Sequence, residues 1–370
     1  MDVCCRLRDH DRFRLAHRSG NQTRAAGTDS RPPRVTKYCD RLVRYAEDAP
    51  GRLRVEERPD PRPAPGELLL RVRACGVCRT DLNIANAELA PHRPSVVPGH
   101  QIVGTIEAVG DGVDASRIGR RAGVSWVGGV DGTCEQCLAG RENLCDAPVF
   151  TGYDRDGGYA ELACVRADFA LELPEGLDDL RAAPLLCAGI IGYRALRVAG
   201  VERGERVGLF GFGSSAHLTL PVLQSWGCET YVATRGENHR AFARKLGADW
   251  VGDALDRPPV RLDRAITFAP SGDVVIAALS SLRKGGVVAI NAIHLDRIPS
   301  FDYDSLLWGE RQIRSVANMT RDDARDFLKL AAEIAIVPQV AQFELRDASR
   351  ALEAIADDGL DGSAVMYWGT

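Results

Sequence analysis

The chain has 370 residues, room for two domains with separate cores. Its 45% hydrophobic and 26% charged content is that of an ordinary globular protein, and no apolar run reads as the ~20 residues that span a bilayer. A formal net charge of −4 argues against a nucleic-acid partner, because phosphate binding needs a basic surface.

Residues 1–36 are polar, Arg-rich and aperiodic, which predicts a disordered extension. A transit peptide is the alternative, but Asp2, Asp9 and Asp11 count against it, since such peptides avoid acids. From Leu42 the text turns β-like. LRVEE and ELLLRVRACG predict two strands around a Pro-rich turn, and VVPGHQIVGTIEAVG continues the pattern. After Pro184 the period changes. RVGLF, ETYVATR, RAITFAP and VVAINAI read as strands, and SSAHLTLPVLQSWG, NHRAFARKLGA and DVVIAALSSLRKGG as the helices between them. That alternation predicts parallel βαβ units. From about Thr320, two helices (DDARDFLKLAAEI, DASRALEAIAD) and a terminal strand (SAVMYW) complete the chain.

The 11 cysteines are odd in number and no secretory leader is visible. A cytoplasmic protein with thiols partly used as metal ligands is therefore expected, rather than a disulfide framework. Cys78 in ACGVCRTDL, His100 in VVPGHQ and Cys187 in APLLCAGIIGY supply two thiolates and one imidazole. Three protein ligands with a fourth position open are the set of a catalytic zinc. Each piece alone is weak, since a single buried Cys is usually a small hydrophobe. Cys75 and Cys78 also form a CxxC, but the thioredoxin-like βαβ context for redox chemistry is missing there.

In this order GVCRTD, PGH, a Cys-rich lobe, LLCAGI and a G-x-G-x-x-A turn resemble the zinc-dependent medium-chain alcohol dehydrogenases over roughly residues 40–370. The resemblance implies an α/β protein with a β-rich GroES-like catalytic domain (37–185 with 320–370) and a Rossmann nucleotide-binding domain (186–319). It implies a catalytic zinc on Cys78, His100 and Cys187, and a small-molecule alcohol or aldehyde substrate. It also implies a homodimer or homotetramer. Arg79 matches a contact to the cofactor phosphates, Thr80 the hydroxyl that bonds the substrate oxygen, and Asp81 the carboxylate that orients the ligand His. A ligating imidazole needs such an acceptor to fix its tautomer.

Three positions depart from the family pattern. Gln101 stands where a Glu often follows the ligand His, leaving the site less negative. Asn83 replaces a His that passes protons to solvent; His92 is one substitute relay and bulk water another. In the lobe, Asp131 takes the first place of C-x2-C-x2-C-x7-C, ahead of Cys134, Cys137 and Cys145. Aspartate is an acceptable zinc ligand, so a Cys3Asp structural site is expected, with a weakened or empty site as the alternative.

Gly211, Gly213 and Ala216 form G-x-G-x-x-A after RVGLF, placing a dinucleotide pyrophosphate on a helix N-terminus. The next strand ends in Thr234-Arg235 instead of the acid that grips an NAD ribose. Arg235 can pair with a 2′-phosphate, so NADP is favoured over NAD; a solvated loop Arg is the other reading. His217 and His294 are read as structural. Trp126 and Val127 fall at pocket-wall positions of the family, although a core Trp fits as well. Two other functions compete with the dehydrogenase. One is a weakly catalytic nucleotide binder, motivated by Gln101, Asn83 and Asp131. The other is a zinc-free quinone reductase, which would not need the three ligands together.

Overall fold

The computed structural model describes residues 35–42, 53–90, 92–93 and 95–368. The expected extension over 1–36 lies outside the described residues except for its last two, which open the strand Val35–Leu42. That strand pairs antiparallel with Arg54–Pro59.

ELLLRVRACGV forms the strand Glu67–Val77 at the centre of a seven-stranded sheet. Leu68, Leu70 and Val72 alternate inward against Arg71 and Arg73, and burial becomes continuous from Ala74 onward. Its antiparallel neighbours are Gln101–Val109, Leu162–Arg166 and Ser363–Tyr367. Arg121–Val124 and Leu171–Glu172 extend one side. Val340–Glu344, parallel to Ser363–Tyr367, closes the other. The last two strands return the C-terminal part of the chain to the sheet begun at residue 67.

The second sheet is six-stranded and wholly parallel. Its order is Trp250–Gly252, Glu229–Ala233, Arg206–Phe210, Leu262–Thr267, Leu282–Ile290 and Gln312–Ser315. The chain winds outward from Arg206–Phe210 in one direction and then returns to its other side. Such a reversal opens a crevice at the carboxyl ends of the strands, where nucleotides bind. One core lies on the antiparallel sheet (Leu70, Ile102, Tyr159, Met366) and one on the parallel sheet (Phe210, Val275, Leu279, Val288). A third cluster, including Leu186, Leu209 and Phe327, draws on residues from both regions.

Two sequence expectations need correction, and two strands were not foreseen. SLRKGG was expected as the end of a helix, but the helix Gly272–Ser281 stops there and Leu282 begins a strand. Leu282 is extended and Gly285 takes φ +74°, a conformation no helix accepts. The strands Trp250–Gly252, of three residues, and Val340–Glu344, half-buried without a clean alternation, went unread in the sequence. Finally, Asp179–Ala199 is one helical stretch of 21 residues, long and apolar enough to cross a membrane. Two thirds of it is buried inside the fold, so its apolar side chains serve the core. Its middle, Leu185–Gly189, is a wide π-type turn following Pro184. Pro184 has no N–H for the regular ladder, and such turns re-aim side chains at functional sites.

Candidate active site

Cys78, His100 and Cys187 come from three different elements. Cys78 caps the helix Arg79–Ala85, directly after the central strand Glu67–Val77. His100 precedes the strand Gln101–Val109 and is delivered by Gly99, whose φ is +95°. A Cβ there would lie 2.3 Å from the Tyr159 ring, so only glycine fits this turn. Cys187 sits in the π-type turn. One ligand atom from each lies within 4.8 Å of the other two. Cys75 is fully buried and stands outside this group, so the CxxC supplies one ligand and one core residue.

Asp81 organises the group. As the N3 residue of its helix, it reaches back so that Oδ2 accepts the Cys78 N–H at 2.9 Å. Its Oδ1 accepts from Gly99 N at 3.2 Å and pairs with His100 Nδ1 at 3.1 Å. With Nδ1–H donated to Asp81, Nε2 keeps its lone pair for a metal. Burial disfavours charge on His100, but Asp81 and the Cys78 thiolate overcome it and raise the imidazole to about 10 when no cation is present. Two soft thiolates and an oriented imidazole fit zinc in both donor type and number. Thr80 is 2% exposed, with Oγ1 3.6 Å from Cys78 Sγ. Trp126 sets its ring edge against His100, centroids 5.2 Å apart, and stacks on Phe150. Val127, in contrast, is buried in the core, so of the two expected pocket-wall residues only Trp126 lies beside the ligands.

Asn83, in place of the relay His, and His92, the side chain offered as its substitute, are both engaged by neighbours. Asn83, with its amide oriented to satisfy both partners, donates to Glu88 Oε2 and to the Arg79 carbonyl. His92 is half-exposed and bonded to Asp154 at 2.6 Å. Gln101 is buried, packed across Gly76 of the central strand.

The lobe brings Asp131, Cys134, Cys137 and Cys145 within 4.8 Å of one another. Asp131 Oδ1 accepts the N–H groups of Thr133 (2.7 Å) and Cys134 (2.9 Å). These bonds hold its carboxyl well below the usual carboxylate range. The sulfurs of Cys145 and Cys134 likewise accept backbone N–H groups. Three sulfurs and an anionic oxygen in this cage fit a structural zinc.

In the parallel sheet, Arg206–Phe210 runs through the glycine turn into the helix Ser214–Ser225. Gly211 has φ +93°, and a Cβ there would meet Ala269 N at 2.9 Å. Nothing lies within 4 Å of a Cβ built on Gly213, so the space before this helix is open, a cradle for a phosphate group. Ala216 is fully buried. Thr234 is buried, and its hydroxyl accepts the Phe212 N–H at 3.1 Å, so it braces the glycine turn. Arg235 and Arg79 are exposed, and neither side chain has a partner among the described residues. His217 is buried and pushed down to about 4, while His294 is exposed. Two residues escaped the sequence reading. Ser363 bonds Ser214 Oγ at 2.5 Å, tying the terminal strand to the helix that follows the glycine turn. Tyr159, in GGYAE, donates to Asp81 at 3.0 Å. The double glycine before a buried aromatic was its only signal.

A mainly antiparallel sheet beside a Cys–His–Cys group, followed by a doubly wound sheet with a dinucleotide turn, defines the medium-chain dehydrogenase class. Residues 64–175 match the family described as alcohol dehydrogenase GroES-like domain. A probable alcohol dehydrogenase AdhA of Mycobacterium tuberculosis is 49% identical over 311 residues, covering 83% of this chain and 90% of that protein. An alcohol dehydrogenase of Geobacillus stearothermophilus is 32% identical over 324 residues, 85% of this chain and 96% of its own. In structure, acetophenone reductase from Geotrichum candidum in complex with NAD superposes with a TM-score of 0.80 at 25% identity, over 91% of this chain and 98% of that one. The chain belongs to the zinc-dependent medium-chain alcohol dehydrogenase family. It is an oxidoreductase acting on alcohols.

Proposed function

We propose that the protein interconverts a primary or small alcohol and its aldehyde, using zinc at Cys78, His100 and Cys187 and a nicotinamide dinucleotide, with NADP favoured. The supporting observation is the convergence of these three ligand atoms within 4.8 Å, with the second nitrogen of His100 engaged by Asp81. Residues 37–185 with 320–370 form the catalytic domain in this reading, and 186–319 the nucleotide-binding domain. Held by Cys78, His100 and Cys187, zinc would polarise the substrate oxygen as a Lewis acid, and a bound nicotinamide would supply the hydride acceptor or donor. Asp81 keeps the imidazole in one tautomer. Thr80, beside Cys78, bonds the substrate hydroxyl and relays its proton, handing its own hydroxyl proton on to water. The helix N-terminus at Gly213 and Ser214 binds the pyrophosphate, with Arg79 as counter-charge. Arg235 meets the 2′-phosphate of NADP. Trp126 narrows the substrate side, which suits small or slender alcohols. Asp131, Cys134, Cys137 and Cys145 hold a second, structural zinc.

Metal analysis combined with alcohol oxidation tests this reading. Two zinc ions per chain are expected, falling to one in Cys187→Ser with loss of turnover. A protein that is active without metal sinks it, and a single ion in the intact protein removes the lobe site. Arg235→Ala should lower kcat/KM for NADP about tenfold, the worth of roughly 1.4 kcal/mol, and leave NAD unchanged. An unaltered NADP value removes the cofactor preference.

A further inference from the structure

We infer that Tyr159 is a positioning residue for the metal ligands: its phenol holds Asp81, and through Asp81 it fixes the orientation of His100. The inference rests on reading Cys78, His100 and Cys187 as a metal site. Tyr159 and Asp81 are both 0% exposed. The phenol donates to Asp81 Oδ2 at 3.0 Å, and the same oxygen accepts the Cys78 N–H. The other oxygen faces His100 Nδ1 and accepts the Gly99 N–H. Each carboxylate oxygen therefore has two partners, and these include the backbone or side chain of two of the three ligands. Tyr159 is the only side chain besides His100 in this set.

Its placement is as constrained as its bond. The ring fills the space beside Gly99 that a side chain would otherwise need. Its own N–H donates to the Pro98 carbonyl at 2.9 Å, so the residue grips the turn that delivers His100 as well as the acid that orients it. Burial first, then the charge of Asp81, push the phenol well above its ordinary range, so it remains an O–H donor. Without the hydroxyl, Oδ2 keeps one donor instead of two. The carboxylate then gains freedom to rotate about its side-chain bonds, and the imidazole hinged on it loses a fixed direction. Outer partners of metal ligands typically alter metal affinity about 10–100-fold. Tyr159 acts one bond further out, which places its effect near tenfold.

Release of Zn2+ into a chromogenic chelator tests this on the full-length protein. The kinetic phase that Cys187→Ser abolishes reports this site. Tyr159→Phe should speed that phase about tenfold and leave any other phase unchanged. Added to Asp81→Asn, it should bring no further acceleration, because its route to the metal is already gone. An unchanged release rate in Tyr159→Phe overturns the inference. So does an undiminished acceleration in the Asp81→Asn background, which would make Tyr159 a packing residue alone. Absence of any such phase in the unaltered protein overturns the metal reading itself, a separate outcome.

Discussion

Asp81 joins the cap of one helix to the ligand of the next strand, because a carboxylate offers several acceptor directions and the local fold fills them. The neighbouring Thr80 has a different task. It is buried, it points to Cys78, and it adds no ligand atom to the group. Thr80→Val keeps the shape and removes the hydroxyl. Turnover should fall on the order of 10²-fold, the usual worth of a positioned proton carrier, with zinc content unchanged. Loss of zinc together with activity would instead make Thr80 a structural support for Cys78. The two glycines of the dinucleotide turn also separate in role. Gly211→Ala meets both a positive φ and Ala269 and should cost about 1–3 kcal/mol of stability. Gly213→Ala meets no atom within 4 Å and should leave stability intact while raising the cofactor KM. Thermal unfolding beside cofactor titration checks both; equal behaviour of the two variants contradicts the assignment.

Among the elements, the helix Arg321–Glu333 carries the return of the chain from the parallel sheet. Thr320 caps it, and Asp323 accepts the Thr320 N–H at 2.9 Å. Asp323 is 1% exposed and also binds Arg194 and Arg197 of the helix Ile190–Ala199. Burial pushes its carboxyl up, but the Thr320 bonds and the Arg194 charge outweigh this and lower it. A depressed native pKa stabilises the fold above the unfolded value of about 3.9 and ceases to do so as pH falls through the native one. Asp323→Asn should therefore cost about 3 kcal/mol at neutral pH and flatten the acid limb of the stability curve. An acid limb as steep as before would mean that other carboxylates produce it.

Over the whole molecule, the Cys lobe is fastened to the crossing at residues 317–321. Asn143 donates to the Ala317 carbonyl at 2.8 Å, and Asn318 donates to the Asn143 carbonyl at 3.1 Å. Arg321 clasps Glu142 through its backbone N–H and its guanidinium, and covers Phe169. A metal that orders the lobe thus supports the chain's return as well. Cys134→Ser should lower the thermal midpoint by several degrees, since binding to the native state stabilises it by mass action. Calorimetry with and without added Zn2+ checks this, and a Zn2+-independent midpoint in the unaltered protein contradicts it.

Much of this was legible in the chain. The shift from period-two strands to alternating strands and helices marks the two sheets. G-x-G-x-x-A names its own turn, since only glycine accepts that backbone. CRTD, PGH and LLC display their ligand types directly. Other features depend on contacts between residues far apart in sequence. Nothing near Tyr159 in the chain announces Asp81, 78 positions away. Thr234 stands at a cofactor-binding position in the sequence, and only the fold shows its hydroxyl engaged by the turn at Phe212. Val127 and Trp126 are adjacent, yet one enters the core and the other faces His100. Cys187 shows its donor type in the sequence, but only the π-type turn aims its thiol at the other two ligands. Local sequence determines backbone preference and donor chemistry, because those act over a few bonds. Which donors converge is decided by packing, because it joins strands and turns that the chain keeps far apart.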